Sequence, residues 1–246
     1  MTTAAIMGRI KDFIRREFVW KSTLLGILWA AAPFWIFVIA ALWMYFRPWF
    51  RVRPLLLHFA ALLFLAARWA ARAEGGALIS DLPFSAAWLF RFGGGVALAL
   101  LFALLLGVKD LHVVRREEAI KVLAIALFFF LSLEVFLLAA GPHRMSHFLL
   151  FLLLAALGTY FFRGEAGWKG FSLVSTVLLT EIGALLVFLP VASAEKALIF
   201  FIAGIGLFEL RQEVSAKEID LRTLLVYFSG IFFFSALVLA FAEWGI

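Results

Sequence analysis

Eight long apolar stretches, separated by short charged segments, run through the 246 residues of this chain. They lie at about 23–46, 54–72, 84–108, 119–140, 145–162, 171–192, 196–210 and 222–242. A helix that crosses a bilayer needs roughly 17–25 mostly apolar residues. With 65% hydrophobic and 15% charged residues, the chain carries more apolar surface than a soluble protein of this size can bury. The sequence therefore predicts an all-α, polytopic transmembrane helix bundle of about eight spans.

The segment before the first stretch is basic and amphipathic, with apolar residues at helical spacing between Arg9, Lys11, Arg15 and Arg16. This pattern predicts an interfacial helix over 1–22, followed by a single transmembrane helical domain over 23–246. Pro33 lies near the middle of the first stretch, where a proline either kinks a helix or marks the tip of a re-entrant hairpin. A re-entrant first stretch would leave seven spans.

The net charge of +6 comes from basic residues at the ends of the stretches. We interpret it as membrane topology and as contact of the basic cytoplasmic loops with anionic lipids, and we expect no nucleic-acid partner. Loops that follow the odd-numbered stretches are the richer in Lys and Arg and are predicted to face the cytoplasm. With eight spans the basic N-terminus lies on the other side, which conflicts with its own charge. A re-entrant first stretch removes that conflict.

The sequence also bears on location. It contains no asparagine and so no N-glycosylation acceptor, which is compatible with a bacterial or archaeal source. The expected location is a cell membrane, crossed several times, of the prokaryotic plasma-membrane kind.

A tight connection between the fourth and fifth stretches brings two ionisable residues to a similar depth. In the segment AAGPHRMSH, Gly141 ends one helix and Pro142 suits the first turn of the next. Glu134 lies seven residues before Gly141, and His147 lies six residues after it. At 1.5 Å per residue both lie roughly 10 Å below the turn, so their side chains meet if their faces agree.

Three interpretations of this pair are open. In the first, Glu134 and His147 satisfy each other by a hydrogen bond that fixes the hairpin, and no cofactor is involved. In the second they relay protons, because histidine titrates near neutral pH and ionisable residues inside spans indicate function. In the third, His143 and His147 lie one helical turn apart and bind a divalent metal, with Glu134 as the third ligand.

Glu181 lies near the centre of the sixth stretch, and a stripe of small residues occupies the opposite face of the same helix. The stripe consists of Ser172, Ser175, Thr176, Thr180 and Gly183. Small residues favour close packing between membrane helices, whereas a glutamate that faces lipid is costly. Both faces are therefore expected to be covered, in a central helix or at an oligomer contact. Glu181 is either hydrogen bonded to a neighbouring helix or part of a substrate or proton site.

Two arginines, Arg68 and Arg72, lie one helical turn apart at the end of the second stretch, and Arg91 opens the third. Interfacial anchoring or local ion pairs explain such residues in most membrane proteins. A basic cluster at the interface also suits a lipid head group, which is the alternative interpretation of Arg68 and Arg72.

Several classes of function are not supported. The chain has no cysteine, which excludes disulfides, iron–sulfur clusters and thiolate metal sites. No Walker motif, HExxH or GxSxG is present, so no standard ATPase, zincin or serine hydrolase is visible.

The leading functional hypothesis is a membrane protein that binds or translocates a small solute, a lipid or a proton, through a pathway that contains Glu134, His147 and Glu181. One alternative is an intramembrane metal-dependent enzyme that uses His143, His147 and Glu134. The other is a structural subunit of a larger membrane complex, with a homo-oligomer or a membrane partner on one face.

Overall fold

A computed structural model of the chain describes residues 17–47, 55–74, 84–109, 116–140, 147–162, 169–216, 220–242 and 244. These described residues form nine helices and no strand. The helices are α1 (Glu17–Ala31), α2 (Phe34–Tyr45), α3 (Leu56–Glu74), α4 (Phe84–Lys109), α5 (Arg116–Ala140), α6 (His147–Phe162), α7 (Lys169–Phe188), α8 (Ser193–Ala216) and α9 (Leu221–Phe241). The all-α prediction is confirmed, and the predicted interfacial helix falls largely on residues outside the described ranges.

Four helical segments of the described part are long and apolar enough to cross a membrane: Arg91–Lys109, Glu117–Ala140, Phe171–Phe188 and Leu221–Phe241. Two shorter apolar helices are Phe34–Tyr45 and Leu149–Phe162. The protein therefore has the helices of a membrane protein, and the count of about eight spans stays a prediction.

The chain forms two compact units, Met1–Leu127 and Phe128–Ile246, with the boundary inside α5. Each unit has its own set of packed helices. The assignment of 23–246 to a single domain stays a prediction.

In the N-terminal unit, helix α1 packs on α4 at two facing glycines, Gly26 and Gly95. A Cβ atom on Gly26 would lie 2.6 Å from the carbonyl oxygen of Gly95 and 2.8 Å from the Cβ of Ala99. A Cβ on Gly95 would in turn lie 2.9 Å from the carbonyl oxygen of Gly26. The two backbones touch, so only glycine fits at this crossing.

Contacts along α4 show that α1 and α2 form one kinked helix and not a re-entrant hairpin. Gly26 lies beside Gly95, and the ring of Phe37 lies 5.9 Å from that of Phe102. The carbonyl of Arg47 accepts a hydrogen bond of 2.6 Å from the Nζ of Lys109. Later residues of α1 and α2 thus contact later residues of α4, so the segments run in the same direction. In a re-entrant hairpin, Phe37 would lie back near the start of α4. The kink does not remove the conflict over the side of the basic N-terminus.

Helix α3 returns antiparallel to α2 and α4 and closes an aromatic core. The rings of Tyr45 and Phe59 stack with centroids 3.9 Å apart, and Phe59 lies 6.4 Å from Phe102. Ten residues later on α3, Trp69 makes an edge contact with Trp29, with centroids 6.3 Å apart. This packing fixes the residues on both sides of the kink.

In the C-terminal unit, a cluster of rings joins α5, α6 and α8. The fully buried ring of Phe128 stacks on Phe161 at 4.1 Å and on Phe200 at 5.6 Å. Helix α8 passes close to α5 because Gly204 leaves room for the Phe128 ring. The Oγ of Ser193 donates a 3.3 Å hydrogen bond to the carbonyl of Phe136 at the other end of this contact.

Helix α7 lies between α6 and α8 in this unit and presents its small residues to them. Ser175 and Thr180 are buried, and a Cβ on Gly183 would lie 2.8 Å from the Phe200 ring and 2.9 Å from Leu154. Gly158 of α6 approaches Thr176 in the same way. The predicted packing of the small-residue stripe is confirmed.

Helix α9 lies at the periphery. It packs on α8, where Gly206 approaches the side chain of Ile231, and none of its own residues is buried. Its long apolar side chains, such as Phe232 and Phe241, are exposed in the chain. Lipid is the environment that suits such a helix.

Candidate functional site

A cleft of about 400 Å³ opens at the kink between α1 and α2. Its walls are Trp29, residues 30–32, Pro33, Phe34, Ala70 of α3 and Arg91 of α4. The Nε1 of Trp29 donates a 3.0 Å hydrogen bond to the carbonyl of Ala66, which fixes the indole as one wall. The cleft therefore lies where α1, α2, α3 and α4 of the N-terminal unit meet.

Proline chemistry explains why the helix opens at this place. Pro33 has no N–H, so it cannot donate to the carbonyl of Trp29 one turn earlier. Regular bonding ends with the Ala32 N–H on the carbonyl of Leu28 at 2.9 Å, and restarts with the Ile36 N–H on the carbonyl of Pro33 at 3.0 Å. The carboxyl end of α1 and the amino end of α2 thus face the same gap, with opposite partial charges.

The cleft is lined by apolar residue types and one cation, but polar atoms make up the larger part of its surface. Among the lining residues that the structure describes, Arg91 is the only charged one, and none is acidic. Arg68 and Arg72 lie two residues before and after Ala70 on α3, so their side chains project from the face of that helix opposite the one that lines the cleft. Arg91 is exposed, and Arg68 and Arg72 are half-buried.

The cleft has a defined depth relative to α4. The kink lies between the levels of Gly95 and Phe102, which bracket Leu100, the middle residue of the apolar segment Arg91–Lys109. Arg91 is nine residues, or about 13 Å, from that middle. The cation therefore lies toward one end of the span, and the apolar walls lie closer to its centre.

Lys109, at the other end of α4, is a buried residue that its place in the sequence did not indicate. Its side chain is 1% exposed, its Nζ donates to the carbonyl of Arg47, and it lies 5.5 Å from the Tyr45 ring centroid. The sequence assigns Lys109 to a charged cytoplasmic loop. Its burial depends on contacts with Arg47 and Tyr45, which are distant in sequence. The local sequence shows only a basic residue in the last turn of a helix, which does not predict burial.

Replacing Lys109 by methionine is expected to lower the free energy of unfolding by about 2 kcal/mol, because a charge-assisted hydrogen bond is lost and its acceptor stays half-buried. Chemical unfolding in mixed micelles, followed by circular dichroism, measures this change. Lys21→Met is the control, because Lys21 pairs at 2.7 Å with the exposed Glu17 in the same helix. Such a surface pair is worth less than about 0.5 kcal/mol. Equal effects of the two substitutions would contradict a structural role for Lys109.

The residues of the predicted pathway occupy different surroundings. Glu134 is fully buried on α5 of the C-terminal unit. Glu181 is exposed on the outer face of α7, opposite the buried stripe. His147 begins α6, but its side chain and the whole of His143 lie outside the described residues. The pairing of Glu134 with His147 and the metal site at His143 therefore stay predictions.

Among the residues that the structure describes, no group of three or more His, Cys, Asp or Glu side chains is placed to hold a metal ion. Comparison with known proteins identifies no relative: no family model, no curated protein and no solved structure matches this chain. The function is therefore argued from the site itself.

Proposed function

We propose that this membrane protein binds an anionic amphiphile, a lipid or a molecule built like one, in the cleft at the kink between α1 and α2. The observation that supports the proposal is the cleft of about 400 Å³, in which Arg91 is the one charged residue among the described lining residues and the other seven have apolar side chains. Ligand pockets are commonly of this size and contain a few polar groups that orient the ligand.

The depth of the lining residues suits a ligand with two different ends. A phosphate or carboxylate at the level of Arg91 accepts charge-assisted hydrogen bonds from its guanidinium group. The alkyl part then lies along Trp29, the alanines of the kink and Phe34, nearer the centre of the span. The lipid head-group interpretation of Arg68 and Arg72 stays a separate prediction, because the two side chains lie on the face of α3 opposite Ala70.

The kinked helix further supports translocation in place of static binding. Many transporters hold their substrate at helices that are interrupted within the membrane, where free backbone groups line a cavity. The α1–α2 junction is an interruption of this kind, near the middle of the apolar segment of α4. We therefore place the protein among those that bind or move a small solute or lipid, in a cell membrane.

Replacing Arg91 by glutamine is expected to weaken binding of a fluorescent long-chain fatty acid by about tenfold, because one charge-assisted hydrogen bond is lost. Titration of the purified protein in neutral phosphatidylcholine vesicles measures the dissociation constant. Arg222→Gln is the matched control, because Arg222 is an exposed arginine on α9, in the other unit. It is expected to leave the constant unchanged.

Two further results would contradict the proposal. The methyl ester of the same fatty acid keeps the chain and lacks the charge, so equal affinity for ester and acid would remove the role of Arg91. Ala70→Phe fills the cleft from α3, and unchanged affinity in this variant would place the ligand elsewhere.

A proton pathway through Glu134 is a second proposal, supported by the full burial of that carboxyl group. A buried ionisable residue in a span is expensive to keep unless it has a partner or a role. Under this proposal Glu134→Gln abolishes proton uptake into vesicles that contain the protein, whereas fatty-acid binding at the cleft is unchanged. Proton uptake by the Glu134→Gln variant at the wild-type rate would contradict this second proposal.

A further inference from the structure

The outer face of α7 is apolar except for one carboxyl group. Val174, Val177, Glu181 and Phe188 are exposed on it, and Ala184 lies half-buried between them. Helices α6 and α8 pack on the other faces of α7, at the small-residue stripe. Glu181 makes no hydrogen bond or ion pair with another residue in the part of the chain that the structure describes. The described residues of the C-terminal unit therefore leave this face, the α7 seam, uncovered.

Glu181 lies deep in the span. In the apolar segment Phe171–Phe188 it comes ten residues after the first residue and seven before the last. It is therefore about 15 Å from one end and about 10 Å from the other, near the middle of the hydrocarbon layer. A carboxyl group at this depth costs several kcal/mol when it faces lipid without a hydrogen-bonding partner. Something with a polar group at the same depth must cover it.

We propose that the α7 seam is the contact between two copies of this chain, and that the Glu181 side chains of the two copies hydrogen bond to each other. Copies of one membrane protein share one orientation, so their two-fold axis runs along the membrane normal. Two α7 helices on this axis are parallel, and each Glu181 meets its counterpart at equal depth. The O–H of one carboxyl group donates a hydrogen bond to an oxygen of the other, so each group has a partner.

The spacing of the seam supports helix-to-helix packing of this kind. Its residues Val174, Val177, Glu181, Ala184 and Phe188 are separated alternately by three and four positions. This is the repeat of two helices packed at a small crossing angle, in which one polar residue at the seam sets the register. Ala184 next to the carboxyl lets the two backbones approach closely. A lipid offers no hydrogen-bond partner at this depth, whereas a second copy always does.

The chain has no cysteine, so single cysteines report on the contact without background. Val177→Cys and Ala184→Cys, each one turn or less from Glu181, are expected to form disulfide-linked dimers in vesicles treated with a membrane-permeant oxidant. Leu225→Cys is the control, because Leu225 is exposed on α9, away from the α7 seam. It is expected to cross-link at least about tenfold more slowly. Equal rates at all three positions would overturn the proposal.

Substitution of Glu181 tests the hydrogen bond itself. Glu181→Leu is expected to raise the dimer dissociation constant about tenfold, as measured by energy transfer between labelled copies in vesicles, because such bonds are worth 1–2 kcal/mol between model helices. Glu181→Gln keeps a donor and an acceptor and is expected to stay within about threefold of the wild type. The fold of the C-terminal unit does not depend on Glu181, because the structure gives its side chain no hydrogen bond or ion pair with the described residues. A purified wild-type protein that remains monomeric would instead indicate a different membrane protein with a basic residue at this depth, and would overturn the proposal.

Discussion

Replacing Gly26 by leucine is expected to lower the free energy of unfolding by about 3 kcal/mol, the upper end of the usual cost of overpacking. The Cβ atom alone would lie 2.6 Å from a backbone oxygen of α4, which cannot move aside as a side chain end can. Helix α1 must then separate from α4. In a bilayer this loss is severe, because close packing and not the hydrophobic effect holds membrane helices together.

Gly93 provides the matched control, since it lies on the same run of glycines in α4 but a Cβ there would meet nothing within 4 Å. Gly93→Leu is expected to change the free energy of unfolding by less than about 0.5 kcal/mol. Unfolding in mixed micelles, followed by circular dichroism, compares the two. Because Trp29 lies one turn after Gly26, Gly26→Leu should also weaken fatty-acid binding at the cleft. Equal stability of the two variants would show that α1 and α4 do not touch at this crossing.

Replacing Phe128 by alanine is expected to cost the C-terminal unit about 3 kcal/mol, at the low end of the range for buried phenylalanine. The ring is fully buried and contacts two other helices, α6 and α8, so its removal leaves a cavity beside Gly204. The lower end applies because the unfolded reference in a membrane is already out of water, and mainly the packing contacts are lost.

Phe232→Ala is the control for Phe128, because the same side chain on α9 is 76% exposed. It is expected to leave the free energy of unfolding within about 0.5 kcal/mol of the wild type. If both substitutions cost the same, the ring cluster around Phe128 contributes nothing specific to the fold.

The helices were predictable because the bilayer sets their length and apolar character. The third stretch was predicted at 84–108, and α4 spans Phe84–Lys109. It was also predictable that Glu181 projects away from the packed face of its helix. The small residues lie on the opposite face, and small residues are the ones that pack closely against neighbouring helices. These inferences need only local sequence and the period of a helix.

The cleft was not predictable from the sequence, because its walls come from residues far apart in the chain. Arg91 reads as an interfacial anchor until Ala70 and the kink are seen beside it. The signals that existed were Pro33 in the middle of an apolar stretch and three consecutive glycines at 93–95. Neither signal predicts which helices contact each other, because those contacts depend on packing between residues far apart in the sequence.

The kink at Pro33 also bears on how the chain enters the membrane during synthesis. Helix α1 has 15 residues and α2 has 12, so they rise about 22 Å and about 18 Å, less than the roughly 30 Å of the hydrocarbon layer. Neither half is long enough to be inserted as a span by itself. If the two halves form the first span that the sequence predicts, the insertion machinery must accept them as one unit, which requires an apolar junction. Residues 30–32 are alanines, and they meet this requirement while leaving the space that becomes the cleft.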